Sequence, residues 1–157
     1  QGKARFVVVG YEEETSPYNV PSTQLEAWQE EGLIEWWGKR DDMPEVYAQA
    51  NIVCLPSTYG EGIPKVLIEA ASCARACVTT DTPGCREIVR HGVNGLLVPP
   101  NDLDALTSAV AYLIDHPEER QQMGQAGREI VINDFSFEQV AQETFSLYRM
   151  LLSEAQR

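Results

Sequence analysis

The stretch Leu55-Pro-Ser-Thr-Tyr-Gly-Glu-Gly-Ile-Pro-Lys-Val-Leu-Ile-Glu-Ala-Ala-Ser-Cys73 decides the fold of this chain. It begins as the end of an apolar strand, passes through a turn of small residues and opens a helix. Pro64 falls in the first turn of that helix, where its missing N–H costs nothing. Gly60 and Gly62 leave room for backbone to approach a ligand closely. The stretch therefore predicts a strand, a turn and a helix N-terminus that suits an anion such as a diphosphate.

Short apolar runs alternate with helical patterns on both sides of this stretch. Strands are predicted over residues 6–9, 33–37, 52–55, 76–79 and 96–98. Continuous apolar strands are typical of a sheet covered on both faces, and strands separated by helices form right-handed βαβ units. The pattern predicts an α/β fold: a Rossmann-like open parallel sheet with helices on both faces.

Polar and small residues mark the ends of the predicted helices between these strands. Ser22 or Thr23 can cap a helix that runs to about Glu31. Thr23 and Glu26 fit a capping box, and Gly32 fits the exit of the helix. Two further short helices are predicted over residues 43–50 and 85–91.

Beyond residue 100 the pattern is helical only. Asn101 or Asp102 can cap one helix, Pro117 starts a second, and Ser136 begins a last helix with an apolar stripe at helical spacing. Such a stripe usually packs on its own sheet; the alternative is a helix that reaches a partner domain. We expect residues 1–157 to be a single domain, truncated at its N-terminus, with an alternating βα core over 1–100 and a helical tail over 101–157.

Composition excludes several classes of partner and site. Twelve Lys and Arg against 24 Asp and Glu give a formal charge of −12, which repels nucleic acid and anionic lipid. The four cysteines lack metal-ligand spacing, so reduced thiols and a cytoplasmic location are expected. No apolar run approaches the roughly 20 residues of a membrane span. We expect no nucleic acid, no transmembrane segment and no metal.

Two carboxylates, Glu61 and Glu69, bracket the helix start with seven residues between them. At about 1.5 Å per helical residue they lie up to about 12 Å apart. The acid and base of a glycosidase need about 5 to 9.5 Å, so this spacing better suits two contacts on one extended ligand. A nucleotide sugar, with hydroxyls at both ends and a diphosphate between them, matches it. The alternative is that Glu61 caps the helix and Glu69 lies on a solvated face.

The sequence does not match other phosphate-binding motifs or the motif of serine hydrolases. Gly60-x-Gly62-x-x-Lys65 lacks the third glycine of a dinucleotide site and the Gly-Lys-Ser/Thr of a P-loop. Ser57 has no flanking glycines, so no nucleophile elbow is present.

The run from Pro56-Ser57 through Glu61-Gly62-Ile63-Pro64 to Glu69-Ala70 resembles the Glu-x7-Glu motif of retaining GT-B glycosyltransferases of family 4, the group 1 glycosyltransferases. The segments over residues 80–89 and 92–99 also resemble the C-terminal, donor-binding domain of that family. Residues 123–137 resemble its helical tail, so the resemblance covers nearly the whole chain.

The resemblance implies a role for each matching residue. Glu61 would contact the transferred sugar and favour the positive charge that develops at the anomeric carbon, which makes it the catalytic residue. Glu69 would bind the ribose diol, and Arg40 would contact the nucleobase, although a plain surface arginine is the alternative for Arg40. The donor sugar and phosphates would be bound by Gly60, Gly62, Ile63, Lys65 and Val66.

The resemblance also implies substrates and location. The donor would be a UDP- or GDP-sugar, no cofactor or metal would be needed, and the acceptor would be a glycan or a lipid-linked molecule in surface polysaccharide or glycoconjugate biosynthesis. The full-length protein would be cytoplasmic, with a peripheral position at the inner face of the membrane as an option.

The chain departs from the family pattern in three ways. Gly84-Cys85 stands where two glycines are common, and a small packed residue is the alternative for Cys85. Ile63-Pro64 replaces an aromatic-Gly pair. The sequence also lacks the acceptor domain, and it lacks the first strand and helix of the donor domain, which carry the diphosphate-binding Arg and Lys in this family. We therefore expect a fragment with little or no transferase activity of its own. The alternatives are a non-catalytic regulatory or assembly module, or a related sugar-nucleotide epimerase or glycan phosphorylase.

Overall fold

The structure is a computed structural model that describes residues 4–12, 19–60 and 62–154. The chain divides into two compact units, Gln1–Val46 and Tyr47–Arg157.

The first unit holds two short parallel strands, β1 (Val7–Val8) and β2 (Glu35–Trp36), joined through helix α1 (Ser22–Glu30). Val7 pairs with Glu35 and Val8 with Trp36, and the Gly10 amide donates to the Gly38 carbonyl at 2.9 Å just beyond the strands. Both strands lie where the apolar runs predict them but are shorter, because only two residue pairs are in ladder register.

Helix α1 confirms its predicted exit but not its predicted cap. Gly32 has φ +72°, and its amide donates to the Gln29 carbonyl at 2.9 Å, as a glycine after a helix does. The expected capping box at Thr23 is wrong, because the helix already begins at Ser22. The Ser22 amide and hydroxyl bind the Glu12 carboxylate at 2.9 and 2.8 Å, a contact ten residues away in sequence.

Helix α2 (Met43–Gln49) begins in the first unit and ends in the second. The second unit then alternates strands and helices in the predicted order: β3 (Ile52–Leu55), α3 (Lys65–Ser72), β4 (Ala76–Thr80), α4 (Cys85–Ile88) and β5 (Gly95–Val98). Three helices complete it: α5 (Leu103–Asp115), α6 (Pro117–Asp134) and α7 (Phe137–Glu154).

Strands β3, β4 and β5 form a parallel sheet in that order, so β4 is the central strand. All five residues of β4 are buried, as expected for a strand covered on both faces. Ala76 and Val78 pack with Leu113 of α5 and Met123 of α6. The predicted parallel α/β arrangement is therefore confirmed in this unit.

Helix α6 approaches the turn between α3 and β4 very closely at Gly124. A Cβ added there would lie 2.2 Å from the Ala74 carbonyl oxygen, so only glycine fits. Farther along α6, the Arg128 guanidinium donates to the Ser72 carbonyl at the end of α3. These contacts join α3 and α6 over the sheet.

Helix α7 does not bury its apolar stripe against the sheet, as such a stripe usually does. Its N-terminus lies where Ser136 predicts it, since the Ser136 hydroxyl accepts from the Gln139 amide at 3.3 Å. The structure describes every residue of α7, and none of them is buried. The helix contacts α6 and does not pack its apolar stripe on the sheet. Within the described part of the chain, no helix combines the length and apolar character needed to cross a membrane.

Candidate functional site

The loop that follows β3 is held in place by threonines of β4. The Thr79 hydroxyl donates to the Leu55 carbonyl at 2.7 Å, and the Thr80 hydroxyl donates to the Ser57 carbonyl. The Ser57 hydroxyl donates in turn to the Tyr59 carbonyl at 3.1 Å. Because both threonines are buried in the central strand, the start of this loop is anchored to the interior of the sheet.

A second loop, after β4, lies against the first. A Cβ built on Gly60 would be 3.5 Å from the ring of Pro83, which is ordinary van der Waals contact. Gly62 is different, because a Cβ there would meet nothing within 4 Å. Both loops lie beyond the carboxyl ends of parallel strands, where open α/β sheets bind ligands. Of the two glycines, Gly62 is the one next to open space.

Helix α3 begins one residue later than the sequence predicts. Pro64, with φ −63° and ψ 120°, is the N-cap, and Lys65 is the first helical residue. The Pro64 carbonyl accepts from the amides of Leu67 and Ile68 at 3.0 and 3.4 Å. Among the residues that the structure describes, no side chain caps this N-terminus. The first-turn amides, including that of Val66, therefore suit an anionic ligand.

The predicted catalytic residue, Glu61, lies outside the described residues. Its separation of up to about 12 Å from Glu69 therefore stays a prediction. Of the described residues that follow it in the sequence, Ile63 is 40% exposed just before the helix.

The Glu69 carboxylate is shared between two protein partners. Oε1 pairs with the Lys65 ammonium at 3.2 Å, and Oε2 accepts from the Tyr47 hydroxyl at 3.0 Å. The Glu69 side chain is 33% exposed, whereas Lys65 is 88% exposed and Tyr47 only 3%. Glu69 therefore has one buried neutral donor and one solvated cation, and a face that water or a ligand can reach.

The Tyr47 hydroxyl acts as a donor in this contact. Burial raises the pKa of Tyr47 above its ordinary value, and the hydrogen bond to the Glu69 carboxylate raises it further. The phenol therefore stays protonated at neutral pH. The Val66 carbonyl lies 3.5 Å from the same hydroxyl, so the shorter contact to Glu69 takes the proton.

Tyr47 is not among the residues that the sequence predicts for the site. Its spacing from Met43 and Val46 indicates a short amphipathic helix and predicts no role in the site. One signal could have found it: a buried tyrosine needs a partner for its hydroxyl, and a glutamate among apolar residues needs a donor.

Arg40 lies in the first unit, after β2. Its guanidinium is bound to the Asp42 carboxylate, with Nε 2.6 Å from Oδ1, and it stands over the Trp37 ring at 5.7 Å from the ring centroid. The hydrogen bond to Asp42 is the main reason why the pKa of Arg40 is raised. Asp42 is thus engaged with Arg40, and no cluster of three or more His, Cys, Asp or Glu suited to a metal ion occurs among residues 4–12, 19–60 and 62–154.

The structure thus brings Lys65, Val66 and Glu69 together on one turn of α3. Gly60, Gly62 and Ile63 form the loop that leads into this helix. Arg40 belongs to the other compact unit.

A family model described as "Glycosyl transferases group 1" matches residues 1–116 of this chain. Among curated proteins, alpha-maltose-1-phosphate synthase of Mycolicibacterium smegmatis is 38% identical over 111 residues, which cover 67% of this chain and 28% of that protein. The exopolysaccharide phosphotransferase SCO2592 of Streptomyces coelicolor is 43% identical over 82 residues, which cover 52% of this chain and 9% of that protein. The chain therefore spans less than a third of the length of these relatives.

Solved structures agree with the fold. Sucrose-phosphate synthase from Thermosynechococcus elongatus is 29% identical, with a TM-score of 0.80, over 94% of this chain and 38% of that one. The Anabaena protein Alr3699/HepE, solved in complex with UDP, has a TM-score of 0.83 at 23% identity over 93% of this chain and 41% of that one. The predicted α/β fold, a parallel sheet flanked by helices with a helical C-terminal part, is the GT-B-like fold of these neighbours.

Proposed function

Because this chain belongs to the group 1 glycosyl transferases, we propose that it is the donor-binding part of a retaining glycosyltransferase of family 4 that uses a nucleoside-diphosphate sugar. The observation that carries the proposal is the half-buried Glu69 carboxylate on α3, a helix whose N-terminus no described side chain caps. A carboxylate suits the two hydroxyls of a ribose, and helix-end amides suit a diphosphate.

In this proposal each predicted residue has one role. Glu61 contacts the transferred sugar and favours positive charge at the anomeric carbon. The backbone of Gly60, Gly62 and Ile63, with the amides of Lys65 and Val66, holds the sugar and the distal phosphate. Glu69 binds the ribose diol, and Arg40 contacts the base.

No metal is required in the proposed mechanism. The leaving diphosphate is stabilised by helix-end amides and by basic side chains, which act as preorganised donors where negative charge develops. Lys65 supplies one such cation, because its ammonium is exposed and its pairing with Glu69 is a single surface ion pair worth about 1 kcal/mol or less.

We propose a UDP- or GDP-sugar as donor and a glycan or lipid-linked molecule as acceptor. One structural neighbour was solved in complex with UDP. A Campylobacter jejuni relative, 31% identical over 113 residues that cover 72% of this chain and 28% of that protein, is named as an N-acetylgalactosaminyltransferase acting on an undecaprenol diphosphate. We accordingly propose a role in surface polysaccharide or glycoconjugate synthesis at the cytoplasmic side of the membrane, with an acceptor domain as a partner in the same polypeptide.

The test is binding and turnover by the intact protein. UDP, GDP and their sugars are titrated by calorimetry, and donor consumption is followed with Glu61→Ala and Glu69→Ala. We expect Glu61→Ala to lower turnover at least a hundredfold with small change in nucleotide affinity, and Glu69→Ala to weaken nucleotide binding about tenfold. Glu129→Ala, which removes an exposed carboxylate from α6, is the control and should change neither quantity.

Three results would contradict the proposal. These are failure of every nucleotide and nucleotide sugar to bind, full turnover by both active-site variants, or an inverted anomeric centre in the product by NMR. Binding without transfer would instead identify a non-catalytic module. Robust turnover by the isolated 157-residue chain would contradict the expected need for an acceptor domain.

A further inference from the structure

One partly buried hydrogen bond in the site has no role in the proposed mechanism. The Tyr47 hydroxyl reaches from α2 to Oε2 of Glu69 on α3 at 3.0 Å. Tyr47 is 3% exposed, so the packing around its ring fixes where its hydroxyl lies. The contact therefore fixes the position of one oxygen, Oε2, of the proposed ribose-binding carboxylate.

The other partner of Glu69 cannot fix the carboxylate in the same way. The Lys65 ammonium is on a flexible, 88% exposed side chain one helical turn before Glu69. Such a surface pair is screened by water and salt and is readily exchanged for another partner. Of the two contacts, only the one from Tyr47 has its donor held by the protein interior.

The contact with Tyr47 restricts how the Glu69 carboxylate can accept hydrogen bonds from ligand hydroxyls. A carboxylate accepts hydrogen bonds at about four lone-pair positions. When Tyr47 occupies one position on Oε2, the rotation of the carboxylate about its terminal bond is restricted. The carboxylate, whose side chain is 33% exposed, then presents its other positions in a fixed orientation, which suits two neighbouring hydroxyls better than one.

We propose that Tyr47 is the positioning residue of the ribose subsite, which orients Glu69 so that the site prefers a ribonucleotide to a nucleotide without the diol. This inference rests on the proposed function. Tyr47 does not touch the ligand; it acts through Glu69. The preference for the ribonucleotide thus depends on Glu69, which binds the diol, and on Tyr47, which orients Glu69.

The experiment measures the affinity of the intact protein for UDP and GDP and for their 2′,3′-dideoxy forms. The wild type should prefer the ribonucleotide. Tyr47→Phe keeps the ring and removes only the hydroxyl, and it should raise Kd for the ribonucleotide about fivefold while leaving Kd for the dideoxy form unchanged. In a Glu69→Ala background the same change should have no further effect.

The chain offers a matched control. The Tyr112 hydroxyl donates to Oε2 of Glu119 at 2.6 Å, a tyrosine–glutamate hydrogen bond between α5 and α6. Tyr112→Phe removes the same kind of bond away from the site and should change neither Kd. Thermal melting of both phenylalanine variants verifies that the fold is retained. If Tyr47→Phe fails to fold, Tyr47→Met takes its place, because a flexible side chain can fill the same space without a hydroxyl and should lower the ribose preference in the same way while Glu69 stays intact.

The outcomes separate this inference from the proposed function. If UDP and GDP both fail to bind the wild type, the proposed function falls and this inference falls with it. If the wild type binds them and Glu69→Ala loses the ribose preference, but Tyr47→Phe keeps it or weakens both forms equally, only the inference is overturned.

Discussion

Helices α3 and α7 have similar amphipathic patterns, but α3 buries its apolar face and α7 leaves its apolar face exposed. Helix α3 has eight residues and buries Leu67, Ala70 and Ala71 against β4 and α6. Helix α7 has 18 residues, contacts α6, and buries none of them. Phe137 at its start is 83% exposed. The length and pattern of a helix therefore do not decide how strongly it is held; the surface available to receive its apolar face does.

The difference matters for the site. Glu69 and the proposed phosphate-binding amides belong to α3, which is held on the sheet and by α6. A side chain on such a helix keeps its position to within the small fluctuations of a packed core. Four predictions test this contrast, from the largest expected effect to the smallest.

Gly124→Ala should destabilise the protein by about 4 kcal/mol. The new Cβ would lie 2.2 Å from the Ala74 carbonyl oxygen, which is backbone and cannot move without shifting the turn between α3 and β4. Urea unfolding measures the change. The control is Gly127→Ala in the same helix, where the Cβ would meet the Ala71 methyl at 3.4 Å. It should cost less than about 1 kcal/mol, and an equal loss in both variants would contradict the close contact.

Leu67→Ala should cost about 3 kcal/mol, because Leu67 is fully buried and its removal leaves a cavity under α3. The matched change in α7 is Leu151→Ala, where the side chain is 50% exposed and about 0.5 kcal/mol is expected. Comparable losses at the two leucines would mean that α7 is packed as firmly as α3.

Ser136→Ala should raise amide exchange rates in α7 about fivefold and leave those of α3 unchanged. Its hydroxyl caps α7 by accepting from the Gln139 amide, and such a cap contributes about 1 kcal/mol. Because α7 has no buried residue, we expect it to open locally without global unfolding. Native-state hydrogen exchange measures both helices at once. Protection in α7 equal to that in α3 would contradict local opening.

Raising the pH to 10.5 should remove about 0.8 kcal/mol of stability through Tyr47. An unfolded tyrosine loses its proton near pH 10, whereas burial and the Glu69 carboxylate raise the pKa of the folded residue. Above pH 10 the unfolded state therefore binds fewer protons than the folded state, and stability falls as pH rises. Urea midpoints at pH 8 and 10.5 should show this loss in the wild type and a smaller one in Tyr47→Phe. Equal losses would assign it to other groups.

Local patterns predict most elements of the second unit closely. The strand at Ile52–Leu55 has the predicted bounds, and β4 is longer than predicted by Thr80 alone. The start of α5 is confirmed at Asp102, whose side chain accepts from the Ala105 amide at 2.9 Å. These features depend on residues within about four positions along the chain, so they can be predicted from the sequence.

Predictions fail where a distant residue takes over a local role. Ser22 binds Glu12, and α1 begins at Ser22, so neither Ser22 nor Thr23 is the cap that the sequence predicts. In the site, the pairing of Lys65 with Glu69 is readable from their i,i+4 spacing, but the Tyr47 contact joins residues 22 positions apart. Such contacts have no signature in a short window of sequence.

The order of strands and helices, their parallel arrangement and the residue types of the candidate site follow from the sequence, because periodicity, glycine, proline and caps act locally. The tertiary structure decided which amphipathic faces are buried and which donor holds Glu69. Those outcomes depend on which surfaces meet in space, and that is settled only when β4, α3 and α6 pack together.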